Sequence, residues 1–137
     1  MKAALTAALA AAITSSAAAD EGAVKVELNK LEENQGGCRV YLVLDNRTAT
    51  PFEEFRLDLV LFGPDAVIAR RLAIDVGPLR PKKTTVKLFD VSGLACAKVG
   101  SVLVNDVPAC RSGQEARPDC IDLVEASSRG GTVTMTK

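Results

Sequence analysis

The chain has no histidine, no tryptophan and a single tyrosine. Without histidine the common Ser-His-Asp and Cys-His arrangements cannot be assembled, because the base that cycles a proton near neutrality is missing. A histidine-containing zinc hydrolase site is excluded for the same reason. Sugar-binding surfaces rest on exposed aromatic rings, and with Tyr41 alone beside Phe52, Phe55, Phe62 and Phe89 the rings are better spent in a core. Charge of one sign is also lacking. Seventeen Lys and Arg balance seventeen Asp and Glu, so the basic excess of a nucleic-acid binder is absent. No C-x-x-C occurs, which removes the usual thiol oxidoreductase motif. Gly36-Gly37 and Gly130-Gly131 lack the lysine and the following helix of a phosphate loop. Beyond the first residues, no apolar run is long enough to span a bilayer.

What is present begins with a leader. Lys2 is the only charge before Asp20, an apolar run follows from Ala3 to Ile13, and Thr14, Ser15 and Ser16 precede Ala17, Ala18 and Ala19. This is the order of a secretory signal peptide, with small residues where a signal peptidase reads. Cleavage is expected after Ala19, leaving 20–137 as a single domain in the periplasm or outside the cell. The run is too short and too alanine-rich for a membrane anchor. Neither a twin arginine nor a lipidation cysteine is present. Loss of Lys2 leaves sixteen basic residues against seventeen acidic ones in the mature chain.

All four cysteines, Cys38, Cys96, Cys110 and Cys120, lie in that mature part. An even number in a small exported protein implies two disulfides. Three pairings are possible, and Cys38 with Cys96 and Cys110 with Cys120 is the preferred one. Zinc is the competing reading, but the spacings of 58, 14 and 10 residues do not suit it and only an all-thiolate site remains. No metal, cofactor or catalytic residue is expected.

Apolar residues alternate with polar ones along most of the mature chain, the period of half-buried strands. Val24, Val26 and Leu28 share a face, as do Cys38, Val40, Leu42 and Leu44, and then Phe55, Leu57, Leu59 and Leu61. Gly63-Pro64-Asp65 makes a turn. A strand from about Val67 to Val76 places Ile68, Leu72, Ile74 and Val76 together. In Thr84 to Val91, Val86 and Leu88 oppose Lys87, Phe89 and Val91. Ser92 to Lys98 has room for a helical turn. Val99 to Val107 stops at Pro108, Ile121 to Val124 reads as a short strand, and Thr132 to Thr136 is the last. About seven strands at this spacing suggest an antiparallel sandwich.

Three stretches carry a resemblance. They are Tyr41-Leu-Val-Leu-Asp-Asn-Arg-Thr, then Phe55-Arg-Leu-Asp-Leu-Val-Leu-Phe-Gly-Pro-Asp, then Gly77-Pro-Leu-Arg-Pro-Lys-Lys-Thr-Thr before Val86-Lys-Leu-Phe. From Cys38 to Val91 the chain resembles bacterial extracytoplasmic immunoglobulin-like modules of the FxLYD and fibronectin-type-III-like kind. The resemblance implies an all-β, immunoglobulin-like, disulfide-stabilised sandwich. The cysteine-containing C-terminal extension, about 92–137, lies outside that pattern. Such modules act as structural or interaction domains, so the resemblance implies a non-enzymatic accessory protein bound to another envelope protein, while the charge balance and the apolar runs point to no nucleic acid and no stable membrane insertion after cleavage.

Candidate binding residues fall in two places. Arg70, Arg71, Arg80, Lys82 and Lys83 form a basic cluster in the sequence, suited either to an anionic partner or to keeping an edge strand soluble. Arg111 and Arg117 lie in the loop that Cys110 and Cys120 would close, which suggests an inhibitor as the competing function. The carboxylate pairs Glu53 with Glu54 and Asp119 with Asp122 leave a hydrolase as a third reading. Asn46-Arg47-Thr48 matches a glycosylation sequon, but reads more simply as a turn.

Overall fold

The computed structural model describes residues 22–137, so the signal peptide expected at Met1 to Ala19 lies outside the described residues. Nine strands run in order: β1 (Val24–Asn34), β2 (Gly37–Asn46), β3 (Glu54–Phe62), β4 (Ile68–Asp75), β5 (Lys83–Val91), β6 (Ser101–Ser112), β7 (Glu115–Ala116), β8 (Val124–Ser128) and β9 (Thr134–Thr136). The helical pieces among the described residues are the single 3-10 turns Cys96–Lys98 and Cys120–Leu123. One sheet has the order β5-β2-β1-β8. The other runs β4-β3-β6-β7, with β9 also on β6. The fold is the all-β sandwich that the alternation implies.

The first hairpin, between β1 and β2, turns on two residues. Gln35 and Gly36 both adopt positive φ, 49° and 79°, between the paired Asn34 and Gly37. This two-residue turn has the twist that matches its strands, and glycine adopts its second position without penalty. Gly37 is small for another reason: a Cβ there would meet the Val91 carbonyl oxygen at 2.6 Å.

Two pairings are parallel rather than antiparallel. β8 lies along β1, and β9 lies along β6. Both belong to the C-terminal extension, which crosses from one sheet to the other and back. Cys110 at the end of β6 is joined to Cys120 in the 3-10 turn that precedes β8. Cys38 on β2 is joined to Cys96 beyond β5. The short strand expected at Ile121 to Val124 is instead the turn Cys120–Leu123, and β8 begins only at Val124. β6 does not stop at Pro108 but continues to Ser112. Register shifts between β3 and β6 near Arg56, Asp58 and Leu59 place Pro108 where no ladder hydrogen bond is required of it.

Val24, Val26, Leu42 and Leu44 of the first sheet and Phe55, Leu57, Leu59, Leu61, Val102 and Val104 of the second are all buried in one core. Each such side chain contributes about 1.5–3 kcal/mol by leaving water. Phe52 and Phe55 meet edge to face with ring centroids 5.3 Å apart. Phe62 and Phe89, also expected in the core, are only half-buried. Phe62 closes β3 on the outer side, opposite Ile68, and Phe89 lies on an edge strand.

Candidate interaction site

Each sheet ends in a strand with one neighbour. Among the described residues β5 pairs only with β2, and β4 only with β3. The short link 76–82 joins these two edge strands at one end. At the other, the Arg70 Nη2 of β4 donates to the carbonyl oxygen of Ser92, just past β5, at 3.1 Å. Both free edges therefore flank the same side of the sandwich. An unpaired edge offers a row of N–H and C=O groups to another strand.

Register decides what lies along this side. Lys83, Thr85, Lys87 and Phe89 stand opposite Asn46, Leu44, Leu42 and Val40, so they take the inward face of β5. On β4 the inward residues are Arg70, Leu72 and Ile74, opposite Leu61, Leu59 and Leu57. Leu72, Ile74 and Phe89 pack against the core while remaining partly exposed. The outer face of β5 is more apolar than its inner one: Val86 is 59% exposed and Leu88 53%. Val43 and Tyr41 of β2 lie directly opposite them. Beyond this strip, Arg39 Nε and Nη2 donate to the two carboxylate oxygens of Asp90 at 2.8 and 3.1 Å. That guanidinium, with the Asn34 amide, holds the Asp90 carboxyl below its ordinary pKa.

The charges of the two edge strands divide unevenly. Arg71 is bonded to Asp58, Asp90 to Arg39, and Asp75 Oδ1 accepts from the backbone N–H groups of Phe55 and Gly77. Among the described residues Arg70, Lys83 and Lys87 have no carboxylate partner. Every such uncompensated side chain on β4 and β5 is cationic.

The basic cluster read from sequence is not one patch. Arg71 points out from the second sheet, Arg70 reaches across to Ser92, and Arg80 is exposed in the link. Lys82 Nζ donates to the Arg47 carbonyl at 2.6 Å, while Lys83 begins β5. In a strand, neighbours in sequence face opposite ways, and this separates Arg70 from Arg71, while Lys82 lies in the turn before β5 at positive φ and bonds back to Arg47.

The loop between Cys110 and Cys120 is a closed hairpin held by bonds within it and by Glu53 outside it. Arg111 Nη1 donates to the Gly113 carbonyl at 2.6 Å, Arg117 pairs with Asp119, and the Gly113 N–H donates to Glu53 Oε2 at 2.6 Å. Glu53 is thereby committed to the loop and Asp119 to Arg117, so one acid of each expected carboxylate pair is already held. Asn46 of the sequon is buried: its Nδ2 donates to the carbonyls of Thr50 and Leu79, and its Oδ1 accepts from Thr48. It is the structural turn the sequence suggested.

Sequence reasoning did not single out Val86 and Leu88. Both faces of β5 mix apolar and polar residues, so alternation revealed two faces without revealing which turns inward. The one local signal was the pair of lysines four apart, Lys83 and Lys87, in an otherwise β-forming run.

The fold is similar to a solved structure, that of IrmA from Escherichia coli. The TM-score is 0.56 at 11% sequence identity, over 76% of this chain and 90% of that one. The likeness is one of fold. No protein-family model and no curated protein matches the chain.

Proposed function

We propose that the mature chain is a non-enzymatic interaction or accessory module working outside the cytoplasm, in the periplasm or secreted. The observation that carries this reading is the open edge of β5 beside the exposed Val86 and Leu88. An edge strand with apolar side chains at hand is the surface used in strand addition, where main-chain hydrogen bonds supply affinity and alternate side chains supply specificity. Location is supported by the leader and by two disulfides, which persist in oxidising compartments. The order β1-β2-β5 facing β4-β3-β6 supports the immunoglobulin-like resemblance. The inhibitor reading has less support, since Arg111 and Arg117 both bond back into their own loop. A hydrolase has less still, because Glu53 and Asp119, one acid of each expected carboxylate pair, are already bonded into the loop.

The test places a photo-crosslinking amino acid at Val86 and, separately, at Glu125 on β8 of the opposite edge, in protein exported in its native host. A defined adduct at near-stoichiometric yield from position 86 and not from 125 is the expected result. No adduct from 86, or the same products from both positions, overturns the reading.

A further inference from the structure

From the charge left uncompensated on the open side we infer that the segment received there is an acidic extended strand of another protein, with apolar residues alternating with carboxylates. The inference rests on the interaction reading and adds the chemistry of its partner.

A strand laid antiparallel along β5 sets its side chains opposite those of β5 on each face in turn, within reach for a pairwise interaction. On the outer face it meets Val86 and Leu88, which favours apolar residues two apart. On the inward face it meets Lys87 and Lys83, with Thr85 between them. Carboxylates opposite the two lysines complete ion pairs that the described residues do not supply. Arg70, on the facing edge strand, adds positive charge to the same side. A basic strand would set like charges opposite one another, which is destabilising.

The same arithmetic argues against a second copy. Two β5 strands paired about a two-fold axis with Val86 opposite Leu88 bring Lys87 against its own symmetry mate, with no acid on either inward face to relieve it. Lysine on an open edge is a known way to discourage self-pairing. Here it discourages a copy and suits an acidic guest at once.

The experiment titrates isotope-labelled mature protein with a capped short peptide alternating valine and glutamate, and with its lysine-for-glutamate counterpart, following backbone amides by NMR. Two cross-strand pairs of opposite charge should make the glutamate peptide bind about fivefold more tightly at low salt. The shifts should concentrate on 83–91, and the Lys83→Glu/Lys87→Glu protein should reverse the preference. If the double variant does not fold, the exposed Lys83→Glu alone should narrow it. Equal binding of the two peptides at β5 overturns the acidic partner while leaving the interaction reading intact. Shifts confined to other strands, no shifts with either peptide, or a β5 already protected in a dimer of this chain overturn the inference as well; crosslinking at position 86 then decides separately whether the interaction reading stands.

Discussion

Arg71 grips Asp58 across the β3–β4 ladder, its Nε and Nη2 donating to the two carboxylate oxygens at 3.0 and 2.8 Å. Asp58 is nearly buried at 6% exposure, although it stands on the outer face of its sheet, and it also accepts from the Asn105 amide at 2.8 Å. Asn105 occupies the stretch where β6 slips register against β3. One carboxylate thus joins three strands around an irregularity that the ladder does not bridge. Asp58→Ala removes the acceptor for both donors and should cost about 1–3 kcal/mol, read as a lowered urea midpoint at unchanged slope.

The same contact fixes a sign for pH. The Arg71 guanidinium, then the Asn105 amide, hold the Asp58 carboxyl below its ordinary value. A depressed carboxylate contributes stability above its unfolded pKa and loses it as pH falls through the folded one. Asp90 and Glu27 are depressed likewise, by Arg39 for the first and by Asn29 and Arg129 for the second. With no histidine to titrate, stability should be nearly flat from about pH 5 to 8 and should decline below about pH 4. Asp58→Asn should decline less steeply than the parent in denaturation series across that range. A step near pH 6.5 in either protein would contradict this account.

Asn46 should be a sensitive polar position as well. It is fully buried, and its amide holds together the turn after β2, the Thr50 carbonyl and the Leu79 carbonyl of the link that feeds β5. Asn46→Ala takes one donor from each carbonyl, which Phe52 N–H and the Thr48 hydroxyl still serve, and leaves the Thr48 N–H without its acceptor. A loss of about 1–3 kcal/mol is expected from that orphaned buried donor. Thermal unfolding checks it.

The two disulfides should differ in weight. Cys38 with Cys96 closes a separation of 58 residues and Cys110 with Cys120 one of 10. The chain-entropy relation gives about 4 and about 3 kcal/mol for them. Paired Cys→Ala variants, compared by denaturation, should follow that order. Non-reducing intact mass should show no free thiol and a mature chain beginning at Asp20.

Leu42 and Leu88 test the register directly, because they lie on neighbouring strands but opposite faces. Leu42 is fully buried and Leu88 is more than half exposed. Leu42→Ala should cost about 2–5 kcal/mol, and Leu88→Ala should stay within about 0.5 kcal/mol. Equal losses would mean that β5 presents its other face.

Much of this was legible in the chain itself. The alternation in Val40, Leu42 and Leu44 and in Phe55, Leu57, Leu59 and Leu61 is a local consequence of the pleat, and each run is a core strand. The same reasoning set Ile68 on one face with Leu72, Ile74 and Val76, and for Ile68 it was wrong. A shift between Leu61 and Phe62 turns it outward, away from the side that Leu72 and Ile74 keep. Such an irregularity leaves no mark in apolar spacing.

The candidate site was only half visible. Lys83 was named as a binding residue, and Lys87, Val86 and Leu88 were seen as alternating. None could be placed on an open edge, because an edge is defined by the neighbour a strand does not have. The sequence by itself, through period-two alternation, cysteine count and composition, determined the all-β pattern, two disulfides and the closing of histidine-based chemistry, since these depend on residue type and local period. Tertiary structure alone decided that β8 and β9 run parallel to their neighbours, that the basic cluster is divided, and that β5 turns its lysines inward and its Val86 and Leu88 to water. Those are long-range pairings, chosen by how the whole core closes.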